Sequence, residues 1–259
     1  MNIIGIIPAR LASSRLPRKP MADILGMPML GHVYLRSKVS SILNEVYVAT
    51  CDEEIFNYIT SLGGKAVMTS ISHERASDRT AEALLEIEKT IGQLADIVVM
   101  IQGDEPMVTP EMINSAVEPL LVDENINIVN LMASMKTQEE HEDPAEVKVV
   151  VDKNNFALYF SREPIPSRKK GVENIPMLKQ VCIIPFRRDF LLEYNSMEQT
   201  PLEIIESVDM NRLLENGIKI KMVMSSEDSY SVDTIADLEN VNTRMKNDPL
   251  LSKYMNSPK

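Results

Sequence analysis

Ile3-Ile4-Gly5-Ile6-Ile7 runs directly into Pro8-Ala9-Arg10-Leu11-Ala12-Ser13-Ser14-Arg15-Leu16-Pro17-Arg18-Lys19-Pro20. The apolar run is short and rich in β-branched residues, and it reads as a strand buried on both faces, as in parallel sheets. The segment after it then lies at the carboxyl end of an N-terminal strand. Arg10, Arg15, Arg18 and Lys19 crowd that segment, spaced by small residues and pinned by three prolines, in a chain of formal net charge −11. In open α/β sheets ligands bind beyond the carboxyl ends of the strands, where backbone N–H groups and helix N-termini meet phosphate. A local knot of cations at that place predicts a cradle for a polyphosphate. The plain alternative is a solvated surface loop. Neither G-x-x-x-x-G-K-[ST] nor G-x-G-x-x-G occurs in this stretch, so the P-loop and the dinucleotide fingerprint are unsupported.

Beyond the loop the apolar residues alternate in period. Residues 29–39 and 53–62 follow helical spacing, and residues 45–50 and 65–68 read as strands. Residues 80–91 form a helix with Ala83, Leu84, Ile87 and Ile91 on one face, and residues 97–101 are a wholly apolar strand. Thr109-Pro110 starts a helix to about Leu121, and residues 127–133 are a strand. Residues 147–151 and 156–160 flank Asp152-Lys153-Asn154-Asn155, which predicts a hairpin. Strands are also expected over 180–186 and 218–224. Thr200-Pro201-Leu202-Glu203 has the capping-box pattern and predicts a helix running to Asn216-Gly217. The last helix begins near Thr234, capped with Asp237.

This order predicts an α/β fold with a mixed, mostly parallel sheet flanked by helices. One domain over residues 1–259 is expected. The only break the sequence offers is an exposed flexible loop at about 167–176, carrying Arg168, Lys169, Lys170 and Gly171.

Composition narrows the class. At 259 residues, 44% hydrophobic and 25% charged, the chain is that of an ordinary globular protein with room for a sizeable core. No apolar run of 18 residues excludes a helical membrane span, and the N-terminus lacks a secretory pattern, so the cytoplasm is the expected location. Cys51 and Cys182 are too few for a disulfide framework or a metal cluster. The acidic balance argues against non-specific nucleic-acid binding, which needs a broad basic surface.

Two acids stand where chemistry is expected. Asp104, in Gln102-Gly103-Asp104-Glu105-Pro106, directly follows the apolar strand 97–101, and a carboxylate facing a polyphosphate calls for magnesium between them. Asp233 occupies a similar place between a strand and the last helix, and it joins Asp104 if those strands are neighbours. Taken singly, Asp104 also fits a turn residue and Asp233 a helix N-terminal acid. His73-Glu74-Arg75-Ala76-Ser77-Asp78-Arg79 precedes a helix, with Ser77 as its N-cap on the plainest reading. His32, His73 and His141 have no metal-ligand spacing.

Ile7-Pro8-Ala9-Arg10, Ser14-Arg15-Leu16-Pro17 and Lys19-Pro20, Gln102-Gly103-Asp104-Glu105-Pro106 and Val147-Lys148-Val149-Val150 form an ordered set of motifs. Ala157-Leu158-Tyr159-Phe160-Ser161-Arg162, Ile165-Pro166 and Val232-Asp233-Thr234 complete it, over nearly the whole length. In these motifs the chain resembles the 3-deoxy-manno-octulosonate cytidylyltransferases, the CMP-Kdo synthetases. The resemblance implies a single-domain Rossmann-like nucleotidyltransferase fold, usually a homodimer, that transfers CMP from CTP to an acidic sugar with magnesium as cofactor. By the same resemblance Arg10, Arg15 and Lys19 hold the triphosphate, and Asp104 and Asp233 hold the metal. Arg10, Lys19 and Asp104 carry the catalysis. Ala9, Ala76, Ser77, Arg79 and Gln102 line the nucleotide, and Arg162, Gln180 and Asp209 face the acceptor.

Departures from the family pattern concentrate on the acceptor side. The family's Ser-Gly-Thr-Glu/Asp-Arg is Arg75-Ala76-Ser77-Asp78-Arg79 here, and its glycine before the loop lysine is Arg18. The family strand His-x-Gly-x-Tyr-x-Tyr/Phe-Arg reads Gln180-Val181-Cys182-Ile183-Ile184-Pro185-Phe186-Arg187, and Leu-Glu-Gln-Leu-Arg reads Val208-Asp209-Met210-Asn211-Arg212. Losing hydrogen-bonding side chains from a sugar site shifts acceptor choice. Kdo or a Kdo-like 3-deoxy sugar acid is the expected acceptor. A different anion such as a phosphonate, and a non-catalytic sugar-nucleotide binder or regulatory protein, are the alternatives.

Overall fold

The computed structural model describes residues 1–13, 16–172 and 174–255. They group into two compact units, residues 1–114 with 229–259 and residues 115–228, so the boundaries avoid the basic segment 167–176.

In the first unit four strands lie in the order Ile97–Ile101, Ile3–Ala9, Glu45–Thr50 and Lys65–Met68, all parallel. Every residue of Ile3–Ala9 and of Ile97–Ile101 is buried, which accounts for the unbroken apolar runs. The register Ile6↔Met100 places both strands in step, so the segments that leave them emerge at one edge of the sheet. Helices Met29–Lys38, Glu53–Ser61 and Ala76–Ile91 supply the crossovers that parallel pairing requires. Leu16, Ile24, Met29, Val232, Val241 and Met245 form one buried cluster, which ties the first loop and the returning C-terminal segment to the same core. The final helix, Ile235–Met245, starts at Thr234 as expected, with Thr234 and Asp237 in a reciprocal cap.

The second unit carries the antiparallel part. Its sheet runs Lys221–Met224, Val129–Ser134, Leu178–Val181, Lys148–Val151 and Ala157–Ser161, and only the first pair is parallel. The hairpin appears where expected, with Asn155 at φ 58 in its turn. The apolar stretch 180–186 bends at Cys182 and divides into Leu178–Val181 and Ile183–Arg187.

One expectation fails outright. The helix read over 200–216 is two helices, Pro201–Glu206 and Met210–Glu215, separated by Ser207 at φ 53. The cause is a buried ion pair. In one straight helix Glu203 and Arg212 would stand about 13 Å apart along the axis. Folding back brings Arg212 Nε and Nη2 to within 2.7 and 2.6 Å of the two Glu203 carboxylate oxygens. Glu215 turns back in the same way and accepts from the N–H groups of Leu202 and Glu203 at 3.0 and 3.3 Å.

No helix among the described residues is long and apolar enough to cross a membrane.

Candidate active site

Three separate stretches meet in the first unit. Strand Ile97–Ile101 delivers Gln102-Gly103-Asp104, and Gly103 is close-packed there. A Cβ on it would stand 3.3 Å from both the Pro8 carbonyl oxygen and Leu30 Cδ1. The returning C-terminal segment is stitched to this turn by Val232 N–H, which donates to the Asp104 carbonyl at 3.0 Å, and by Ser229 Oγ, which donates to buried Glu105 at 2.8 Å. The adjacency of Asp104 and Asp233 that the sequence left open is therefore present, through main-chain pairing rather than through neighbouring strands.

The first loop completes the cluster. Lys19 begins a short 3₁₀ turn, Lys19–Met21, with its own N–H donating to Leu16 O at 3.1 Å. Its ammonium donates to Asp104 Oδ2 at 2.7 Å and to Asp233 Oδ1 at 2.9 Å. These side chains are 15, 25 and 19% exposed for Lys19, Asp104 and Asp233, so the cluster is sheltered and still open to solvent. Burial alone would lower the Lys19 pKa, but Asp104, and then Asp233, outweigh it and hold the ammonium above its usual range.

Asp237 steadies the second acid. Its Oδ2 accepts from Asp233 N–H at 3.0 Å, Thr234 N–H at 2.8 Å and Thr234 Oγ1 at 2.9 Å. The capping signal was readable in the sequence. Its service to Asp233 was not.

Arg10 is exposed, and its Nη1 reaches His73 O at 3.4 Å. The loop is anchored behind it by Leu11 N–H, which donates to Asp52 at 2.8 Å, while Ala9 is buried in register with Thr50. Arg18 is exposed and pairs with Glu54. Arg15 lies outside the described residues. Gln102 is half-buried at the strand end, and its carbonyl accepts from Glu105 N–H at 3.3 Å.

The Ala76–Ile91 helix begins one turn earlier than its apolar stripe suggested. Arg75, not Ser77, holds the N-cap position, and Ser77 is buried in the first turn beside Ala76. Arg79 is buried too. It donates to Thr69 Oγ1 at 2.5 Å, Ser70 O at 3.3 Å and His73 O at 3.4 Å, which holds the 69–73 loop against the helix. Glu82 fastens the same loop from below, accepting from Ser70 N–H at 2.9 Å and pairing with His73. Burial would raise the Glu82 pKa, but the Ser70 N–H and His73 hold it low.

In the second unit, Arg162 follows strand Ala157–Ser161. Its guanidinium is engaged by carbonyls: Glu206 O at 2.8 Å, Pro144 O at 2.9 Å, and Ala145 O and Ser207 O at 3.4 Å. Lys148, fully buried, donates to the flanking carbonyls of Asp143 and Glu146 at 2.7 and 2.8 Å, so two cations, Arg162 and Lys148, grip the carbonyls of the 143–146 turn. Glu206, hidden from sequence reasoning inside a supposedly continuous helix, accepts from Tyr159 OH, Ser161 Oγ and Arg162 N–H at 2.9, 2.9 and 2.8 Å. Burial would raise its pKa, but the Arg162 N–H and those hydroxyls hold it low, and Tyr159 is pushed up to about 12, by burial first and then by Glu206. Gln180 donates to Asn130 at 2.6 Å, and Asp209 holds the N-cap position of Met210–Glu215 without a side-chain capping bond, its carbonyl accepting from Tyr194 OH at 3.0 Å. Gln180 sits on a strand that pairs with Lys148–Val151, Arg162 directly follows another strand that does, and Asp209 belongs to the broken-helix segment.

A cationic loop meeting two carboxylates at the carboxyl edge of a parallel sheet defines a nucleotidyltransferase-type site. The family described as cytidylyltransferase matches residues 4–220, and this chain belongs to it. Within that class the chain belongs to the 3-deoxy-manno-octulosonate cytidylyltransferases. It is 41% identical over 251 residues to the protein of that name from Geobacter metallireducens, covering 93% of this chain and 96% of that one. It is 43% identical over 242 residues to the one from Fusobacterium nucleatum, with the same coverage of 93% and 96%. Among solved structures, a CMP:2-keto-3-deoxy-manno-octonic acid synthetase complexed with CTP superposes with a TM-score of 0.85 at 37% identity, over 95% of this chain and 99% of that one. A 4-diphosphocytidyl-2C-methyl-D-erythritol synthase from Anaerococcus prevotii shares the fold alone, with a TM-score of 0.61 at 13% identity over 95% and 99% of the two chains.

Proposed function

We propose that this chain transfers CMP from CTP to 3-deoxy-manno-octulosonate (Kdo), releasing pyrophosphate. The observation that carries the reading is the convergence of Asp104 and Asp233 on one cationic atom supplied by the first loop. Relatives near 40% identity that carry this activity in their names support it.

The residues fit magnesium. Two aspartate oxygens that already converge on one cation are a donor set for a hard ion that takes one or two carboxylates and completes its shell with phosphate oxygens and water. Asp104 and Asp233 would hold it, and when bound it supplies charge neutralisation on the triphosphate.

The remaining work falls to the chain. The anomeric hydroxyl oxygen of the acceptor attacks the α-phosphorus in line and gives up its proton to water, the bond from that phosphorus to the α,β-bridging oxygen breaks, and pyrophosphate leaves with the electron pair. Such a step needs positioning and charge stabilisation and no protein nucleophile. Arg10, which is exposed, and Lys19, which is sheltered beside the two acids, are the groups offered to the phosphates. Ala76 and Ser77 offer small side chains at a helix start for the base, and Arg79 serves by holding the 69–73 loop. With its guanidinium engaged by carbonyls, Arg162 shapes the acceptor side through the 143–146 turn. A homodimer acting in the cytoplasm belongs to the same proposal.

The changes at Gln180, Ile184 and Met210 argue for altered contacts to the sugar, and no observation favours a phosphonate acceptor or a non-catalytic binder. Pyrophosphate release from CTP, measured across Kdo, related 3-deoxy sugar acids and phosphonates, tests the reading. Turnover with Kdo is expected. Turnover confined to a phosphonate, or CTP binding with no turnover on any acceptor, would overturn it.

A further inference from the structure

The Lys19 ammonium lies within hydrogen-bond reach of one oxygen from each acid, Asp104 Oδ2 and Asp233 Oδ1. We propose that Lys19 and a divalent cation compete for these two oxygens, so that entry of the metal frees Lys19 for the triphosphate. The inference rests on the metal role given to Asp104 and Asp233 above.

Geometry and charge lead to it. Magnesium binds carboxylate oxygens at about 2.0–2.1 Å, and the ammonium sits at 2.7 and 2.9 Å from the same atoms. One locus cannot hold both, since two cations at such range repel strongly in a sheltered site. A divalent ion also brings the two carboxylates twice the charge that the ammonium does. The exchange asks little of the fold. The Lys19 backbone is fixed by Leu16 O, and Ala22 N–H donates to Lys19 O at 3.0 Å, so only a flexible four-carbon stem has to move. The displaced ammonium is then an unpaired cation beside the polyphosphate. Metal alone must displace a paired ammonium, while metal with CTP gives that ammonium a new partner. Metal and nucleotide therefore bind with positive, reciprocal coupling.

Two readouts test this on the full chain without relying on turnover. In the first, Mn²⁺ binding in the absence of nucleotide is followed by electron paramagnetic resonance. Lys19→Met is expected to bind Mn²⁺ about tenfold or more tightly than the wild type, while Arg18→Gln, which removes a neighbouring exposed cation, changes the affinity less than about threefold. In the second, acylation of Lys19 in the wild type is quantified by mass spectrometry. Labelling should be slow without additions, faster with magnesium alone, and slow again with magnesium and CTP. Equal Mn²⁺ affinity in wild type and Lys19→Met, an equal gain in Arg18→Gln, or Lys19 labelling indifferent to magnesium would each overturn the exchange. Asp104→Asn separates the two levels of the argument. If it binds Mn²⁺ as the wild type does, the metal role itself fails. If it loses binding while Lys19→Met shows no gain, the metal site stands and only the exchange falls.

Discussion

The N–H of Val232 donates to the carbonyl of Asp104 across 3.0 Å, joining chain positions on either side of the whole second unit. That bond sets Asp233, one residue on, beside Asp104 in the turn that follows strand Ile97–Ile101. The site depends on holding these segments in register.

Asp237 is the next support. Replacing it by Ala removes the acceptor for Asp233 N–H and Thr234 N–H, and the lost cap costs about 1 kcal/mol. The magnesium concentration for half-maximal rate should rise in Asp237→Ala and stay close to wild type in Asp237→Asn, which keeps an acceptor oxygen. Denaturation midpoints and magnesium titrations check both. An unchanged magnesium requirement in Asp237→Ala would refute the positioning role.

Arg18 sits at φ 57, the left-handed region, where a side chain costs about 1 kcal/mol and glycine costs almost nothing. Its pairing with Glu54 is exposed, at 58 and 44%, and contributes little. Arg18→Gly should leave the protein as stable or up to about 1 kcal/mol more stable by urea unfolding. A loss greater than about 1 kcal/mol would show that the ion pair matters more than the backbone.

The Glu203–Arg212 pair is buried, with side chains 0 and 4% exposed. Removing one partner leaves a charge without compensation, so Glu203→Leu should cost about 3–5 kcal/mol and Arg212→Met a similar amount. Thermal unfolding checks this. A shift of only a degree or two in either variant would mean that the fold-back at Ser207 has another cause.

His32 lies fully buried between Tyr254 OH and Ile24 O, both at 2.8 Å. Burial pushes its pKa below the ordinary imidazole value of 6.5. The unfolded chain therefore binds a proton below pH 6.5 that the folded chain refuses, and stability contributed by neutral His32 is lost as pH falls from there toward the folded value. Carboxylates held low, such as Glu206 and Glu82, lose their contribution only below 4.5. Stability measured from pH 7 to 5 should slope downward in the wild type and less steeply in His32→Gln. Parallel slopes would contradict the assignment.

Much of this was legible in the chain. Buried parallel strands announce themselves as unbroken β-branched runs, as in Ile97–Ile101, and the hairpin and the Thr234 cap are local patterns. The break at Ser207 was not legible, because the pair that forces it joins residues nine apart and its turn residue is neither glycine nor asparagine. The strand expected over 180–186 likewise gave no sign of its bend at Cys182. Arg162 was readable as a functional arginine, yet the four carbonyls that engage it come from turns no periodicity reveals. Asp104 and Asp233 could be named singly, but their meeting depends on hydrogen bonds and packing between segments far apart in the chain.

The most direct measurement is steady-state pyrophosphate release from CTP and Kdo, with magnesium, for the wild type, Asp104→Asn and Asp233→Asn, alongside their melting temperatures. If the two acids share one metal over the triphosphate, both variants should fall by about 100-fold or more in kcat while melting within a few degrees of the wild type. Near-normal turnover in either folded variant would contradict the account.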